Sequence, residues 1–291
     1  MATSSCKTCL LYECLFDSMY KGVLFVCLTK ICIILAGQTG HGKSSTGNSI
    51  LGKNVFTVKQ SSTSVTTRVQ LEHAERWGKH IVIADCPGYF DTKKDNAYIE
   101  KQILSTIVAT YPGFKAILFV IKAERITKEV RKTIDLMMNS FGAQAADFAY
   151  VVLTNIKNEE RKGEYLSSPE PKLKEIMALC KGKVLFIDNE AEPKRVEEMA
   201  KNIIQAIVKE SQFNYYKHEC FSQVAQLMKK MGKKEADIQN VDRRKEMVED
   251  DGFLSSLMGF VKKLAPIAGV ISPLAGVIGT AVSSIASMFS K

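Results

Sequence analysis

Short apolar runs alternate with amphipathic stretches along the middle of this chain. The runs have strand length and predict buried strands at 30–36, 81–84, 115–121, 149–154 and 184–187. Between them, apolar residues recur at helical spacing, as at Ile99, Ile103 and Ile107. Strands that alternate with helices indicate an α/β fold, with a mostly parallel central sheet that is flanked by helices on both faces.

Two of the predicted helices are well marked. Thr127 is placed to begin a helix whose apolar stripe covers 130–141, and Gly142 is placed to end it. A second apolar stripe covers 196–207 and predicts the last helix of the central domain. Such stripes are typical of a helix face that packs on a core.

The composition changes twice towards the end of the chain. From 213 to 251 charges of both signs are mixed, which predicts a solvated helix or helical stalk. The segment 252–291 begins with a helix whose apolar face comprises Phe253, Leu257, Phe260, Val261 and Leu264. The predicted organisation is an N-terminal extension (1–29), a central domain (30–212), a charged helical extension (213–251) and an apolar tail (252–291).

The tail contains an uncharged stretch, 264–290, that is longer than the ~20 residues needed to span a bilayer. Pro266–Ile271 is repeated as Pro273–Ile278, and Pro273 would break a single helix. We therefore expect a broken helix or hairpin inserted in a membrane, with Lys262, Lys263 and Lys291 at its surface. The alternative is a tail that folds onto the central domain or pairs with a second copy.

Overall composition narrows the possible partners. The 291 residues are 46% hydrophobic and carry a net charge of +9, but the basic residues are spread along the chain. A nucleic-acid partner is therefore not expected. Attraction to anionic lipid accounts for the net positive charge at least as well. Residues 1–29 are interrupted by Glu13, Asp17 and Lys21, so they fit neither a secretory signal nor a membrane span.

The eight cysteines are interpreted as free thiols, because several of them lie beside the motifs described next, where a reducing cytosol is expected. Cys6-x-x-Cys9 resembles half of a zinc site, but no second pair follows nearby. Unpaired or lipidated thiols are therefore favoured over a metal site.

The segment Gly37–Ser44 reads G-x-x-x-x-G-K-S, which is the pattern of a phosphate-binding loop. It follows the strand 30–36, and a helix can continue from Ser45. Glycines let the backbone curl around phosphates, and the loop N–H groups at the helix N-terminus then face the anion. Lys43 supplies a charge to the phosphates, and the Ser44 hydroxyl is a Mg²⁺ ligand.

A second motif, Asp85-Cys86-Pro87-Gly88, follows the strand 81–84. A carboxylate at a strand end fits an aspartate that holds Mg²⁺ through water, and Gly88 can approach a γ-phosphate because it has no side chain. Between the two motifs, Thr66 or Thr67 can offer a hydroxyl to Mg²⁺ and report the γ-phosphate. An ordinary Ser/Thr loop is the alternative at this position.

Together these residues resemble the GTPases of immunity-associated proteins, which belong to the avirulence-induced-gene GTPases. The resemblance rests on Leu35–Gly52, Ser64-Val65-Thr66, Asp85–Thr92 and Arg125-Ile126-Thr127, and it covers 30–212. It implies a Ras-like P-loop NTPase domain that binds GTP or GDP with Mg²⁺ and dimerises across its nucleotide face. It also implies a cytoplasmic protein on the cytosolic face of an intracellular membrane.

The resemblance also assigns roles to individual residues. It gives phosphate binding to Gly37, Gln38, Thr39, Gly40, His41, Gly42, Lys43, Ser44 and Ser45. It gives Mg²⁺ binding to Ser44, Thr66 and Asp85, and the start of the second switch segment to Asp85 and Gly88. It gives base binding to Asn155, Asn158 and Asn189. Asn158 stands where the family has an aspartate, and an amide accepts fewer hydrogen bonds from guanine than a carboxylate does, so weakened guanine selectivity is expected.

Hydrolysis is expected to be slow or to depend on assembly. Tyr89 follows Gly88, where Ras-type enzymes carry a glutamine that orients the attacking water. His41 and Thr66 are the candidate catalytic residues, with a solvent-exposed loop residue as the alternative for His41. The predicted function is a membrane-associated GTP-binding switch with low GTPase activity. A non-hydrolysing, nucleotide-controlled scaffold and a membrane-disrupting effector gated by its nucleotide domain are the alternatives.

Overall fold

A six-stranded sheet forms the centre of the molecule. The computed structural model describes residues 30–58, 66–88, 95–124, 126–211, 214–264 and 276–279. The strands are β1 (Lys30–Ala36), β2 (Gln70–Arg76), β3 (Lys79–Asp85), β4 (Ala116–Lys122), β5 (Ala149–Thr154) and β6 (Val184–Ile187). Their order is β2-β3-β1-β4-β5-β6, and every neighbouring pair is parallel except β2 with β3. The predicted α/β fold of Ras-like type, with helices around a mostly parallel sheet, is confirmed.

Helices cover both faces of this sheet. Those of the central domain are α1 (Lys43–Leu51), α2 (Asn96–Ala109), α3 (Lys128–Phe141), α4 (Glu159–Ser167), α5 (Pro171–Leu179) and α6 (Pro193–Ser211). A 3₁₀ helix, Ala143–Phe148, precedes β5. The remaining helices are α7 (Glu219–Lys230), α8 (Glu235–Gln239), α9 (Val241–Glu249) and α10 (Asp251–Leu264).

The strand β1 shows why the sheet needs helices on both sides. Because side chains alternate along a strand, Ile31, Ile33 and Leu35 point to one face, where the buried residues of α1 and α6 lie. Cys32 and Ile34 point to the other face, where α2, α3 and α5 contribute the core. Both sets are at least 95% buried, as expected for a central parallel strand.

The charged extension is not a solvated stalk, and that expectation was wrong. The buried residues Phe221, Val224 and Met228 follow helical spacing on α7, and Met247 and Val248 of α9 join the same core as α2. These helices turn an apolar face inward and leave their many charges in water. The extension therefore packs against the sheet domain over its whole described length.

The described part of the apolar tail also packs on the domain. On α10, Phe253, Leu257 and Val261 are buried as predicted, but Phe260 is 40% exposed. Residues 276–279 form one helical turn, and their Val277 and Ile278 are buried in the core shared with α2. Within the described ranges, no helix is both long and apolar enough to cross a bilayer. Most of the predicted membrane segment, like 1–29 and Tyr89, lies outside the described residues.

Candidate nucleotide-binding site

The loop Gly37–Gly42 connects the carboxyl end of β1 to the N-terminus of α1. Gly37 has φ 144°, and a Cβ built on it would lie 2.4 Å from the Val120 carbonyl oxygen. Gly42 is in the left-handed region, with φ 91°. These glycines let the loop pass close to β4 and then turn sharply into the helix, as the motif predicts.

Lys43, Ser44 and Asp85 meet at the start of α1. Ser44 Oγ donates to Asp85 Oδ2 at 2.6 Å, and Lys43 Nζ donates to the Gln38 carbonyl at 3.3 Å. Asp85 is fully buried and Lys43 is 6% exposed. The adjacent parallel strands β1 and β3 end at the same edge of the sheet, which is why the two sequence motifs come together there.

The charges in this cluster are only partly compensated by protein groups. Burial raises the pKa of Asp85, while Lys43 and the Ser44 hydroxyl oppose the rise. Burial likewise lowers the pKa of Lys43, and the negative charge of Asp85 opposes that change. Asp85 Oδ1 is buried without a hydrogen-bond partner among the described residues. A carboxylate oxygen in this setting suits a hydrated divalent cation, and a buried lysine suits an anion.

Thr66 stays a prediction as a Mg²⁺ ligand, but its neighbourhood is consistent with the role. It is 8% exposed and lies four residues before Gln70, which pairs with Asp85 across β2 and β3. Thr66 therefore lies in the segment that leads into β2 at the edge of the sheet where Asp85 ends β3.

Gly88 lies directly against the phosphate loop. A Cβ built on Gly88 would come within 2.6 Å of Thr39 Oγ1 and 3.2 Å of the Thr39 nitrogen. The second motif and the loop are thus in contact through a residue that has no side chain. The approach of Gly88 to a γ-phosphate stays a prediction.

His41 is not a solvent-exposed loop residue, so that alternative was wrong. It is 3% exposed, and its Nδ1 accepts a hydrogen bond from the Lys122 N–H at 3.3 Å. Thr154 Oγ1 donates to the His41 carbonyl at 3.0 Å. His41 therefore fixes the loop to the ends of β4 and β5, and its catalytic role stays a prediction.

The segment expected to bind the base begins where β5 ends. Asn155 has φ 64°, so the chain turns sharply at that point. Asn158 Oδ1 accepts from the Arg161 nitrogen at 2.9 Å and caps α4. One acceptor site of the Asn158 oxygen is therefore occupied, and the base-contacting role of Asn158 stays a prediction.

Asn189 follows β6 and reaches the phosphate-loop helix. Its Oδ1 accepts from Ser49 Oγ at 2.9 Å, and its Nδ2 donates to Thr46 Oγ1 at 3.1 Å. The residue lies at the site, as predicted, but both ends of its amide brace α1. Base binding by Asn189 remains a prediction.

Several supporting residues were not identified from the sequence. Thr127, at the N-cap of α3, donates to Gln38 Oε1 at 3.1 Å and makes no capping bond with its side chain. Arg76 donates to the carbonyls of Ser49 and Ile50, near the C-terminal end of α1, at 2.9 Å each. A threonine before a helix predicts a cap, so the position of Thr127 in the sequence did not indicate its contact with Gln38 of the phosphate loop.

The cysteines of the described ranges form no disulfide. The cysteines in the described ranges, Cys32, Cys86, Cys180 and Cys220, are free and buried. No cluster of His, Cys, Asp or Glu that could hold a metal on its own occurs in the described part of the chain. Cys6 and Cys9 lie outside the described residues.

Comparisons with known proteins find a matching family model and related sequences. A family model described as the AIG1 family matches residues 31–235. Immune-associated nucleotide-binding protein 9 of Arabidopsis thaliana is 30% identical over 244 residues, which are 80% of this chain and 69% of that protein. Immune-associated nucleotide-binding protein 7 of the same plant is 35% identical over 178 residues, 58% of this chain and 57% of that protein. The match thus spans 69% and 57% of the length of these two relatives.

Among solved structures, the chain is similar to Toc33 of Arabidopsis thaliana. A dimerization-deficient mutant of Toc33 aligns with a TM-score of 0.49 and 17% identity, covering 70% of this chain and 97% of that one. Toc33 in complex with Mg²⁺ and GMPPNP aligns with a TM-score of 0.48, 17% identity and the same coverage.

Proposed function

The chain belongs to the AIG1 family, and from that premise we propose that it is a guanine-nucleotide-binding switch protein. It binds GTP or GDP with Mg²⁺ in the loop Gly37–Ser44. The observation that carries the proposal is the trio of buried Lys43, buried Asp85 and half-buried Ser44, at the junction of β1, β3 and α1. A lysine for phosphate and a hydroxyl with a carboxylate for the cation are the groups that such a site needs.

Each residue of the trio has a separate task. Lys43 neutralises phosphate charge, and the N-terminus of α1 faces the same anion with its N–H groups. Ser44 and Asp85 hold Mg²⁺, and Asp85 Oδ1 is the atom with acceptor capacity to spare. Thr66 adds a third oxygen when a γ-phosphate is present. When bound, Mg²⁺ neutralises the phosphate charge.

Calorimetric titration of GTP in the presence of Mg²⁺ tests the proposal. Lys43→Ala should weaken binding roughly 10–100-fold, because it removes a charged hydrogen-bond donor from a buried site. Lys53→Ala is the matched control, since Lys53 is exposed just beyond α1. A folded protein without measurable affinity for any purine triphosphate would contradict the proposal.

Guanine selectivity is modest in this proposal. Residues 154–158 contain no carboxylate, and the Asn158 oxygen already caps α4. An unmatched donor on guanine costs ~1–3 kcal/mol, so selectivity falls by roughly tenfold to a hundredfold. Competition between GTP, XTP and ATP measures it, and a guanine preference of about a hundredfold or more would refute this part.

Hydrolysis is slow and depends on dimerisation through the nucleotide face. The support is the sequence, which has Tyr89 in the place of the water-orienting glutamine. Single-turnover hydrolysis measured at rising protein concentration should then increase per molecule. A rate near zero at every concentration favours the alternative, a scaffold whose assembly is controlled by bound nucleotide.

The apolar tail attaches the protein to the cytosolic face of an intracellular membrane. Its support is the uncharged stretch 264–290, preceded by the exposed Lys262 and Lys263. The burial of Val277 and Ile278 instead favours a tail folded on the domain, so attachment requires that this turn leaves the core. The tail would then exchange between the core of the protein and the apolar interior of the membrane.

Flotation with anionic liposomes tests the attachment. Ile267→Glu with Ile271→Glu should abolish it, whereas Ile267→Leu with Ile271→Leu is the matched control. If the glutamate variant floats as well as the wild type, the tail is not the anchor. Release of a trapped dye from the same liposomes would favour the membrane-disrupting alternative.

A further inference from the structure

Side chains from two helices hold the chain at Phe56, ten residues before Thr66, and at Thr67 and Val69, directly after it. Before it, Asn48 of α1 pairs with the backbone of Phe56. After it, α2 contacts Thr67 and Val69. These contacts are made by α1 and α2, the helices that follow the two nucleotide motifs in sequence.

The contact before Thr66 is a compact anchor. Asn48 Oδ1 accepts from the nitrogens of Val55 and Phe56 at 3.0 and 2.9 Å, and Nδ2 donates to the Phe56 carbonyl at 2.8 Å. The Phe56 ring is 3% exposed. A Cβ built on Gly47 would lie 2.8 Å from that ring, so the glycine makes room for it. Asn48 and Gly47 thus fix where the chain leaves α1.

The contact after Thr66 comes from one face of α2. Tyr98 Oη donates to the Thr67 carbonyl at 2.8 Å, and the Val69 nitrogen donates to Gln102 Oε1 at 3.1 Å. Gln102 is 4% exposed, so its amide is committed to the interior. Tyr98 and Gln102 stand one helical turn apart and hold the residues next to Thr66.

We propose that Asn48, Tyr98 and Gln102 are positioning residues that place Thr66 for the triphosphate-bound state. The proposal rests on the function proposed above, in which Thr66 acts only when a γ-phosphate is present. Loss of an anchor frees backbone that must be ordered again before Thr66 can bind. That cost falls on GTP and not on GDP, whereas a general loss of stability weakens both.

The experiment compares the affinities of the full chain for a non-hydrolysable GTP analogue and for GDP, both with Mg²⁺. Asn48→Ala and Gln102→Ala should each weaken the analogue about tenfold, and Tyr98→Phe about threefold, from the loss of the hydrogen bonds described. GDP affinity should change less than about twofold. Asn240→Ala and Tyr165→Phe are matched controls remote from Thr66; Asn240 caps α9.

A Thr66→Ala background separates the two proposals. If Thr66→Ala itself leaves the analogue's affinity unchanged, the role of Thr66 in the proposed function fails. If Thr66→Ala weakens the analogue but the anchor variants affect both nucleotides equally or neither, only the positioning role is overturned. In the Thr66→Ala background, the anchor variants should lose their selective effect. Tyr98→Phe removes one partly exposed hydroxyl, so it decides the question even if Asn48→Ala does not fold.

Discussion

Gly88 and Thr39 are in contact: a Cβ on Gly88 would lie 2.6 Å from Thr39 Oγ1. Real Cβ atoms do not approach an oxygen this closely, so any side chain at 88 must displace the loop or the second motif. This contact joins the two segments that the γ-phosphate is expected to bridge. It makes the Gly88–Thr39 pair a direct probe of how the two motifs are coupled.

Gly88→Ala should weaken binding of a GTP analogue about tenfold, because a new methyl group pushes Gly88 away from the loop. Thr39→Ala removes the atom with which the methyl group collides. The double variant should therefore recover part of the loss, and calorimetric titration of the four proteins gives the coupling directly. Strictly additive effects would show that the contact does not link the motifs.

The guanidinium of Arg244 holds the C-terminal extension to the sheet domain. It is fully buried, and it donates to the carbonyls of Ala109, Ile238 and Gln239 at 3.2, 2.9 and 2.8 Å. Arg244→Ala leaves three buried acceptors unpaired and opens a cavity, so we expect a loss of about 3 kcal/mol in the free energy of unfolding.

Urea denaturation of the full chain measures that loss. Arg243→Ala is a close control, because Arg243 is a neighbour in sequence whose ion pair with Glu246 lies on the surface. The control should change the stability far less than Arg244→Ala does. Equal effects would mean that the buried guanidinium has no special role in docking α9.

The strands that a sequence reveals best are continuous apolar runs, and this holds even for β6, an edge strand in which only Ile187 is buried. β1, β5 and β6 were predicted with their observed bounds because each is a continuous apolar run. β2 was missed because Leu71 and Ala74 are buried on opposite faces of the sheet and its other residues are polar. Its pairing with β3 comes from the turn at Trp77 and Gly78, which have φ 51° and 67°. That turn was the sequence feature from which the hairpin of β2 and β3 could have been predicted.

At the site, the motifs located the phosphate loop but could not tell which side chains point inward. The pattern allows any residue at position 41, and only the fold places His41 against Lys122. The prediction that the charged extension is a solvated helix was wrong for a different reason. Phe221, Val224 and Met228 form a helical stripe, but the abundance of charges around them suggested a solvated helix. Arg244 had no sequence signal at all, because charged residues are rarely buried.

The structure gives Asn158 a structural role that can be separated from base binding. Asn158→Ala removes the cap on α4 and should cost ~1 kcal/mol in the free energy of unfolding. Because Oδ1 is directed to Arg161, the ratio of GTP to ATP affinity should change less than about twofold. Thermal unfolding and nucleotide competition measure the two quantities. A large change in that ratio would support the base-contacting role of Asn158.

Acid should weaken the extension at the start of α7. His218 caps this helix with Nδ1, which accepts from the Cys220 nitrogen at 3.2 Å, and protonation of Nδ1 removes that acceptor. Burial lowers the pKa of His218 below its ordinary 6.5, and Glu219 only partly opposes the change. The folded protein therefore binds this proton less readily than the unfolded chain does. Its contribution to stability is complete above pH 6.5 and is lost as the pH falls from there through the lowered pKa.

His218→Asp should remove this pH dependence, because aspartate is a good N-cap and stays ionised between about pH 5 and 7.5. Over that range the wild type should lose roughly 1 kcal/mol more stability than the variant, the usual value of one cap. Urea denaturation at several pH values measures the difference. His80 also has a pKa lowered by burial, but it is present in both proteins and its effect cancels. Parallel pH profiles for the two proteins would show that the cap at His218 is not sensitive to protonation.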